Sequence, residues 1–189
     1  NTYKWDAENR LVEIDYPGVN NYSQFSYDGQ HRCRKISETV SGSLTSTKQY
    51  LWDGPVRTEE RDAGGSLAKQ YYSIGERRSS VSYFYCGSHL GSITEVTNSS
   101  GVQQCQLQYD PFGRASQTQG TFDVDLQYAH YFFHPRSGLN LTATRVLSSN
   151  LGRWISNDFL GAANASNYVS NNPISYIDPL GLWTDPAAA

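Results

Sequence analysis

Apolar and polar residues alternate along most of this chain with a period of two, in short runs. Leu11 to Tyr16, Tyr22 to Tyr27, Lys48 to Trp52 and Val81 to Tyr85 each read as half-buried strands. Turn signals separate such runs: Pro17-Gly18, Asp28-Gly29, Asp53-Gly54, Gly64-Gly65 and Asn98-Ser99-Ser100-Gly101. No stretch keeps a 3.6-residue period long enough to predict a helix of any length. The expectation is an all-β chain built as a meander of antiparallel β-hairpins.

A repeat runs through the pattern. An aromatic residue followed by Asp recurs at Trp5-Asp6, Tyr27-Asp28, Trp52-Asp53 and Tyr109-Asp110, the first three separated by 22 and 25 residues. One hairpin cannot bury its apolar face alone, so successive copies must pair edge to edge with their aromatics as cross-strand neighbours. Each Asp suits the turn, where its carboxylate can accept nearby backbone amides.

Composition supports this picture. The 189 residues suffice for one sizeable core; 38% are hydrophobic and 17% charged, and fourteen are Tyr, a residue suited to pleated surfaces. Aromatics at 13% are too abundant for a disordered chain. The net charge of −3 offers no electrostatic reason to expect nucleic acid, and Arg32, Arg34 and Lys35 read as one solvated strand face. No apolar run reaches the length of a membrane span, and no signal peptide is evident. The absence of Met means that residue 1 is not an initiator, so the chain is expected to be cut from something longer. Cys33, Cys86 and Cys105 lack metal-ligand spacing; a Cys86–Cys105 bridge across a hairpin and free thiols are both open. Sequons at Asn21, Asn98, Asn140 and Asn164 matter only in a eukaryotic secretory host.

Candidate chemistry concentrates near the C-terminus. Asp158-Phe159-Leu160-Gly161 and Asp178-Pro179-Leu180-Gly181 place two Asp-x-x-Gly units twenty residues apart. Two carboxylates presented from tight bends can share a proton as an acid/base pair; equally, each Asp can simply cap its turn. His130 and His134 lie four apart, but Pro135 and the neighbouring aromatics favour a strand, and no metal site is expected. Ser88-His89 lacks the Gly-x-Ser-x-Gly elbow of a nucleophile. Exposed Tyr and Trp can stack on sugars, or form the sheet's own ladder.

The run Tyr3-Lys4-Trp5-Asp6-Ala7-Glu8-Asn9-Arg10-Leu11 and the run Tyr27-Asp28-Gly29-Gln30-His31-Arg32 resemble the Tyr-Asp repeats of Rhs proteins. Tyr83 to Ile93, followed by Tyr109-Asp110-Pro111-Phe112-Gly113-Arg114, resembles the start of the Rhs repeat-associated core. Gly138-Leu139, Leu151-Gly152-Arg153-Trp154-Ile155-Ser156, Asn171-Asn172-Pro173 and Asp178-Pro179-Leu180-Gly181-Leu182 resemble its end. The resemblance covers nearly the whole chain, in the family's order.

That resemblance implies a hollow β-shell with a C-terminal core plug, of the kind found in polymorphic toxins, in the shell component of insecticidal toxin complexes and in wall-associated proteins. It implies YD-repeat hairpins over 1–80, the core over 81–182 and the start of a variable extension, or a cloning tail, over 183–189. In many family members the core is an aspartyl protease that cuts itself once, after the Leu of Asp-Pro-x-Gly-Leu. Carried onto this chain, the pair is Asp158 and Asp178, the cleavage site is Leu182–Trp183, and Arg153 is a candidate to orient a carboxylate or hold the plug. No cofactor is implied. The implied partners are the chain's own C-terminal passenger polypeptide and the remaining YD repeats of a longer chain, with secretion machinery or cell-surface glycan as further candidates. The implied location is secreted or cell-surface. The alternative is a non-catalytic structural or adhesion module contacting glycan or protein. Two features depart from the family: Phe159 stands where Pro is usual, and Leu141 to Asn150 replaces an Arg-x-Arg-Tyr-Tyr-type run.

Overall fold

The computed structural model describes residues 1–158, 166–182 and 185–186. The chain divides into two compact units, Asn1–Tyr72 and Ser73–Ala189. The first is an antiparallel meander of β1 (Thr2–Trp5), β2 (Leu11–Asp15), β3 (Tyr22–Tyr27), β4 (Cys33–Val40), β5 (Ser43–Asp53), β6 (Val56–Arg61) and β7 (Leu67–Tyr72). Leu11, Ile14, Phe25, Ile36 and Tyr50 are buried on its strands. The expected strands over Leu11–Tyr16, Tyr22–Tyr27 and Lys48–Trp52 coincide with β2, β3 and the second half of β5.

The second unit opens with the same architecture: β8 (Gly75–Arg78), β9 (Val81–Gly87), β10 (Ile93–Asn98), β11 (Gln103–Tyr109) and β12 (Ala115–Gly120), paired antiparallel in order. A small sheet follows, of β13 (Phe132–His134), β14 (Leu139–Leu141), β15 (Val146–Ser148) and β16 (Arg153–Trp154). The pair β17 (Tyr176–Ile177) and β18 (Asp185–Pro186) comes last. Helical structure among the described residues is confined to two 3-10 turns, Tyr128–His130 and Tyr168–Asn171. No described helix is long and apolar enough to cross a membrane.

One turn recurs between strands. At Asp6, Oδ1 accepts the amides of Glu8 and Arg10 at 2.9 Å each, while Oδ2 accepts Arg10 Nε at 2.7 Å. Asp28 does the same with the amides of Gln30 and Arg32, at 2.9 and 3.1 Å, and with Arg32 Nε at 2.8 Å. Asp62, Asn98 and Asp110 likewise accept the amides two and four residues ahead. In all five turns the cap residue's carbonyl accepts the amide three residues on. That residue (Asn9, His31, Gly65, Gly101 or Gly113) has positive φ, between 58° and 87°. The cap side chain thus supplies acceptors to amides that the reversing chain removes from the ladder. Ser88 begins a shorter version, its hydroxyl accepting the Leu90 amide at 3.3 Å and its carbonyl the Gly91 amide at 2.9 Å. Ser88-His89 is therefore part of a turn. Asp53 differs too: it ends β5 and pairs with Val56 across a two-residue Gly54-Pro55 loop.

In three of the four aromatic-Asp pairs the aromatic bonds back to an earlier strand. Tyr27 Oη donates to the Leu11 carbonyl at 2.8 Å, Trp52 Nε1 to that of Cys33 at 3.0 Å, and Tyr109 Oη to that of Ile93 at 2.7 Å. Each acceptor is the first residue of a strand that follows a turn. A register shift directly precedes Trp5, Tyr27 and Trp52; such bulges re-aim the next side chain.

All three cysteines are free. Of the two alternatives for Cys86 and Cys105, the bridge is not formed: Cys86 opposes Glu95 while Cys105 opposes Val96. Adjacent positions of β10 face opposite sides of the sheet, and so do the two thiols.

Asp28→Ala is expected to lower the unfolding free energy by about 1–3 kcal/mol, because two amides and Arg32 lose their acceptor. Asp53→Ala, at an exposed position, should stay within about 0.5 kcal/mol. Urea titrations check both. Burial alone would raise the Asp28 carboxyl, but its bonds to the Arg32 side chain and to the Gln30 and Arg32 amides outweigh that and hold it below its ordinary value. A lowered carboxyl contributes stability above its unfolded value near pH ~4 and loses it as pH falls through the lowered folded value. Asp28→Asn should flatten that acid limb.

Candidate functional site

The C-terminal sheet is fastened to the last hairpins of its own unit by an aromatic core. Tyr128, Tyr131, Leu147, Trp154, Tyr168 and Val169 are buried together, with Tyr109 and Phe112 packed against them. Tyr128 Oη donates to the Pro111 carbonyl at 2.9 Å, and the Ala129 amide to Ser92 Oγ at 2.9 Å. These contacts set the floor of the site.

Arg145 occupies its centre. The turn before β15 is closed by Thr142, whose Oγ1 accepts the amides of Thr144 and Arg145 at 3.3 and 2.9 Å. The Arg145 side chain is buried, with its guanidinium stacked 4.3 Å from the Trp154 ring. Nη2 lies 2.6 Å from Asp178 Oδ2, Nη1 3.3 Å from Asp158 Oδ2, and Nε donates to the Gly181 carbonyl at 2.5 Å. Asp158 reaches this point because the chain past β16 stays paired: the Ile155 amide donates to the Val146 carbonyl, and the Val146 amide to Ser156 Oγ, each at 2.9 Å. The side chains of Asp158 and Asp178 are only 4% and 3% exposed, so both carboxylates meet one cation away from solvent.

Asp178 reuses the hairpin turn. Its carbonyl accepts the Gly181 amide at 3.1 Å, Gly181 has φ of 75°, and Oδ1 accepts the Leu182 amide at 2.8 Å. Where Asp6, Asp28 and Asp110 have Arg four residues on, Asp178 has Leu182, and Arg145 reaches Oδ2 from the turn before β15. The backbone of Asp178 is held too. Tyr131 Oη donates to its carbonyl at 2.9 Å, accepts its amide at 3.2 Å, and lies 3.0 Å from Tyr168 Oη. Burial raises both phenols well above their ordinary range, so they remain neutral donors. An amide nitrogen and the carbonyl carbon of the same residue are about 2.5 Å apart, which puts the Leu182 carbonyl carbon no more than roughly 5 Å from Asp178 Oδ1.

The residues singled out from sequence are distributed as follows. Asp158 and Asp178 converge, and Leu182 is bonded to Asp178. Trp183 lies outside the described residues, as do Phe159, Leu160 and Gly161 of the first Asp-x-x-Gly unit. Arg153 is exposed on β16 and lines an open polar pocket of about 270 Å³ with Asp110, Arg114, Asn150 and Asn167. The guanidinium at the aspartates belongs to Arg145, a residue the sequence reading passed over. Its one signal was that it is the only charged side chain in Leu141 to Asn150. Tyr131 and Thr144 carried no signal. His134 is buried, with Nδ1 2.7 Å from Ser137 Oγ; His130 sits edge-on to Tyr85, and burial lowers its pKa.

Repeated cap-bearing hairpins followed by a small C-terminal sheet are the features of a YD-repeat shell protein of the Rhs type. The family model for the teneurin YD-shell matches residues 1–176, and the chain belongs to that family. It is 27% identical over 202 residues to the tRNA nuclease WapA of Bacillus subtilis strain 168, covering 96% of this chain and 8% of that protein. Double-stranded DNA deaminase toxin A of Burkholderia cenocepacia is 21% identical, covering 95% of this chain and 15% of that one. Among solved structures, the TcdB2-TccC3-Cdc42 crystal structure superposes with a TM-score of 0.74 at 16% identity, over 95% of this chain and 10% of the other. A Photorhabdus luminescens Tc holotoxin pore superposes with 0.73 at 16% identity, over 99% of this chain and 10% of the other. These structural likenesses speak to the fold. The chain spans 15% or less of the length of each of these relatives.

Arg145→Met is expected to cost about 3–5 kcal/mol, since it strands buried carboxylates. Arg145→Lys should recover only part of this, because an ammonium cannot reproduce the fork that meets Asp158, Asp178 and Gly181 together. Arg153→Ala, at an exposed position, should change stability by less than about 0.5 kcal/mol. Thermal or urea unfolding of the three variants checks the ranking.

Proposed function

We propose that this chain is the C-terminal shell and core segment of an Rhs-type protein that encloses and delivers a C-terminal passenger polypeptide. Membership of the shell family supports this, as do relatives named as a nuclease and a deaminase toxin that each extend far beyond the matched region. The passenger belongs beyond Leu182, the remaining YD repeats belong to a longer chain, and the assembly works outside the cell or at its surface.

The same segment releases the passenger by a single self-cleavage at Leu182–Trp183. The observation that carries this reading is the meeting of Asp158 and Asp178 on one guanidinium, with Asp178 gripping the amide of Leu182. A single proton shared by the two carboxylates gives the acid and the base that the reaction needs. One ionised carboxylate takes a proton from water as its oxygen adds to the Leu182 carbonyl carbon, and the protonated partner gives its proton to the carbonyl oxygen. Collapse of the tetrahedral adduct breaks the bond to the Trp183 nitrogen, which leaves as an amine with the proton taken from water. The Leu182 carboxyl is formed, and the pair recovers its proton.

A second reading, a non-catalytic structural or adhesion module contacting glycan or protein, is favoured by a different observation. Both oxygens of Asp178 have partners, Oδ1 in its own turn and Oδ2 on Arg145, and Tyr72, Phe84 and Tyr176 are exposed.

Expression of the natural reading frame on both sides of this segment, followed by intact-mass analysis, separates the two. The expected result is a product ending at Leu182 that Asp178→Asn and Asp158→Asn both abolish. Uncut protein from a correctly folded shell sinks the cleavage, and glycan-array binding that depends on an exposed aromatic would establish the module. Phe159→Pro should speed the cut, since it restores the turn residue usual in the family.

A further inference from the structure

We propose that Thr144 is a positioning residue of this self-cleavage, one whose hydroxyl sets which bond is presented to the aspartate pair. The inference rests on the cleavage reading above. Thr144 Oγ1 lies 2.7 Å from the Leu180 carbonyl oxygen and 2.9 Å from that of Gly181, 36 and 37 residues away in sequence. Its own turn does not use this hydroxyl: that turn is closed by Thr142 Oγ1, which also donates to the Arg145 carbonyl at 3.1 Å. The Thr144 side chain therefore serves the opposing segment.

That segment is gripped from both sides. Thr144 and Arg145 Nε hold the carbonyls of Leu180 and Gly181 while Asp178 Oδ1 holds the amide of Leu182. The fit against the Thr142–Arg145 turn leaves no room for a side chain at 181. A Cβ there would fall 2.4 Å from Thr142 Oγ1 and 2.9 Å from Thr144 Oγ1, with φ of 75° adding strain. The two successive peptide groups before Leu182–Trp183, Leu180–Gly181 and Gly181–Leu182, are thus fixed. A slip of one residue would move the Leu182 amide off Asp178 and bring a different carbonyl carbon to the pair. Holding a reacting group in register is worth more in rate than in stability, because small displacements are penalised steeply in the transition state.

The test uses the full natural chain, with cleavage followed by intact mass after rapid purification. Thr144→Val keeps the shape and removes the donor; Thr144→Ser keeps the donor. Valine is expected to slow the cut by about ten-fold, the worth of one well-placed hydrogen bond, with a melting temperature unchanged within error, and serine to restore the wild-type rate. Amide hydrogen exchange at Gly181 and Leu182 should quicken in the valine variant alone. Wild-type rate and cut site with valine would overturn the assignment of Thr144 while leaving the cleavage reading intact. Slow cutting by serine as well as valine would make the role one of packing, and also overturn it. An uncut wild-type chain would take down the cleavage reading and this inference with it, and the wild-type lane alone reveals that case.

Discussion

The structure depends on a carboxylate accepting backbone amides at a reversal of the chain. Each hairpin must turn within a few residues, and the turn withdraws amides that strand pairing would otherwise satisfy. Asp6, Asp28, Asp62 and Asp110 restore acceptors from the side chain, and Asn98 does so with its amide oxygen. The positive φ at the fourth position completes the reversal, and the aromatic before the cap bonds back to an earlier strand. Sheet growth and turn closure are thus coupled in one local unit, which explains why the same few residues recur at intervals set by strand length.

The candidate site is that unit altered at one position. Asp178 keeps the bonds to the amides three and four residues on, but Leu182 stands where three of the caps have Arg, and Oδ2 meets Arg145. The counter-charge comes instead from the turn before β15, and Asp158 meets the same cation. A local cap becomes a long-range junction. Gly181 and Thr142 pack too closely for any other residue at 181, so the junction also fixes the path of the chain into Leu182. Asp178 holds the Leu182 amide with Oδ1 and meets the shared cation with Oδ2.

Much of this was legible in one dimension. Period-two alternation located the strands, and the aromatic-Asp pairs marked hairpin ends, because both signals are made by neighbours in sequence. Asp53 shows the limit, since Trp52-Asp53 looks like the other copies yet Gly54-Pro55 imposes a two-residue loop. Asp62 and Asn98 show the converse: they cap without an aromatic before them. Arg145 could not be picked out because nothing near it in sequence needs a cation; its partners lie 13 and 33 residues away. Arg153 drew notice from its motif and proves to be exposed on β16.

The sequence by itself determined the all-β meander, the turn positions and the family, since alternation, Asp caps and positive-φ residues act over a few bonds. Only the tertiary structure decided which cation joins Asp158 to Asp178, that Cys86 and Cys105 face apart, and that Tyr131 holds the backbone of Asp178 while Thr144 holds that of Leu180 and Gly181. Those outcomes depend on desolvation. A buried carboxylate must find donors wherever packing brings them, and packing joins residues that no local pattern relates.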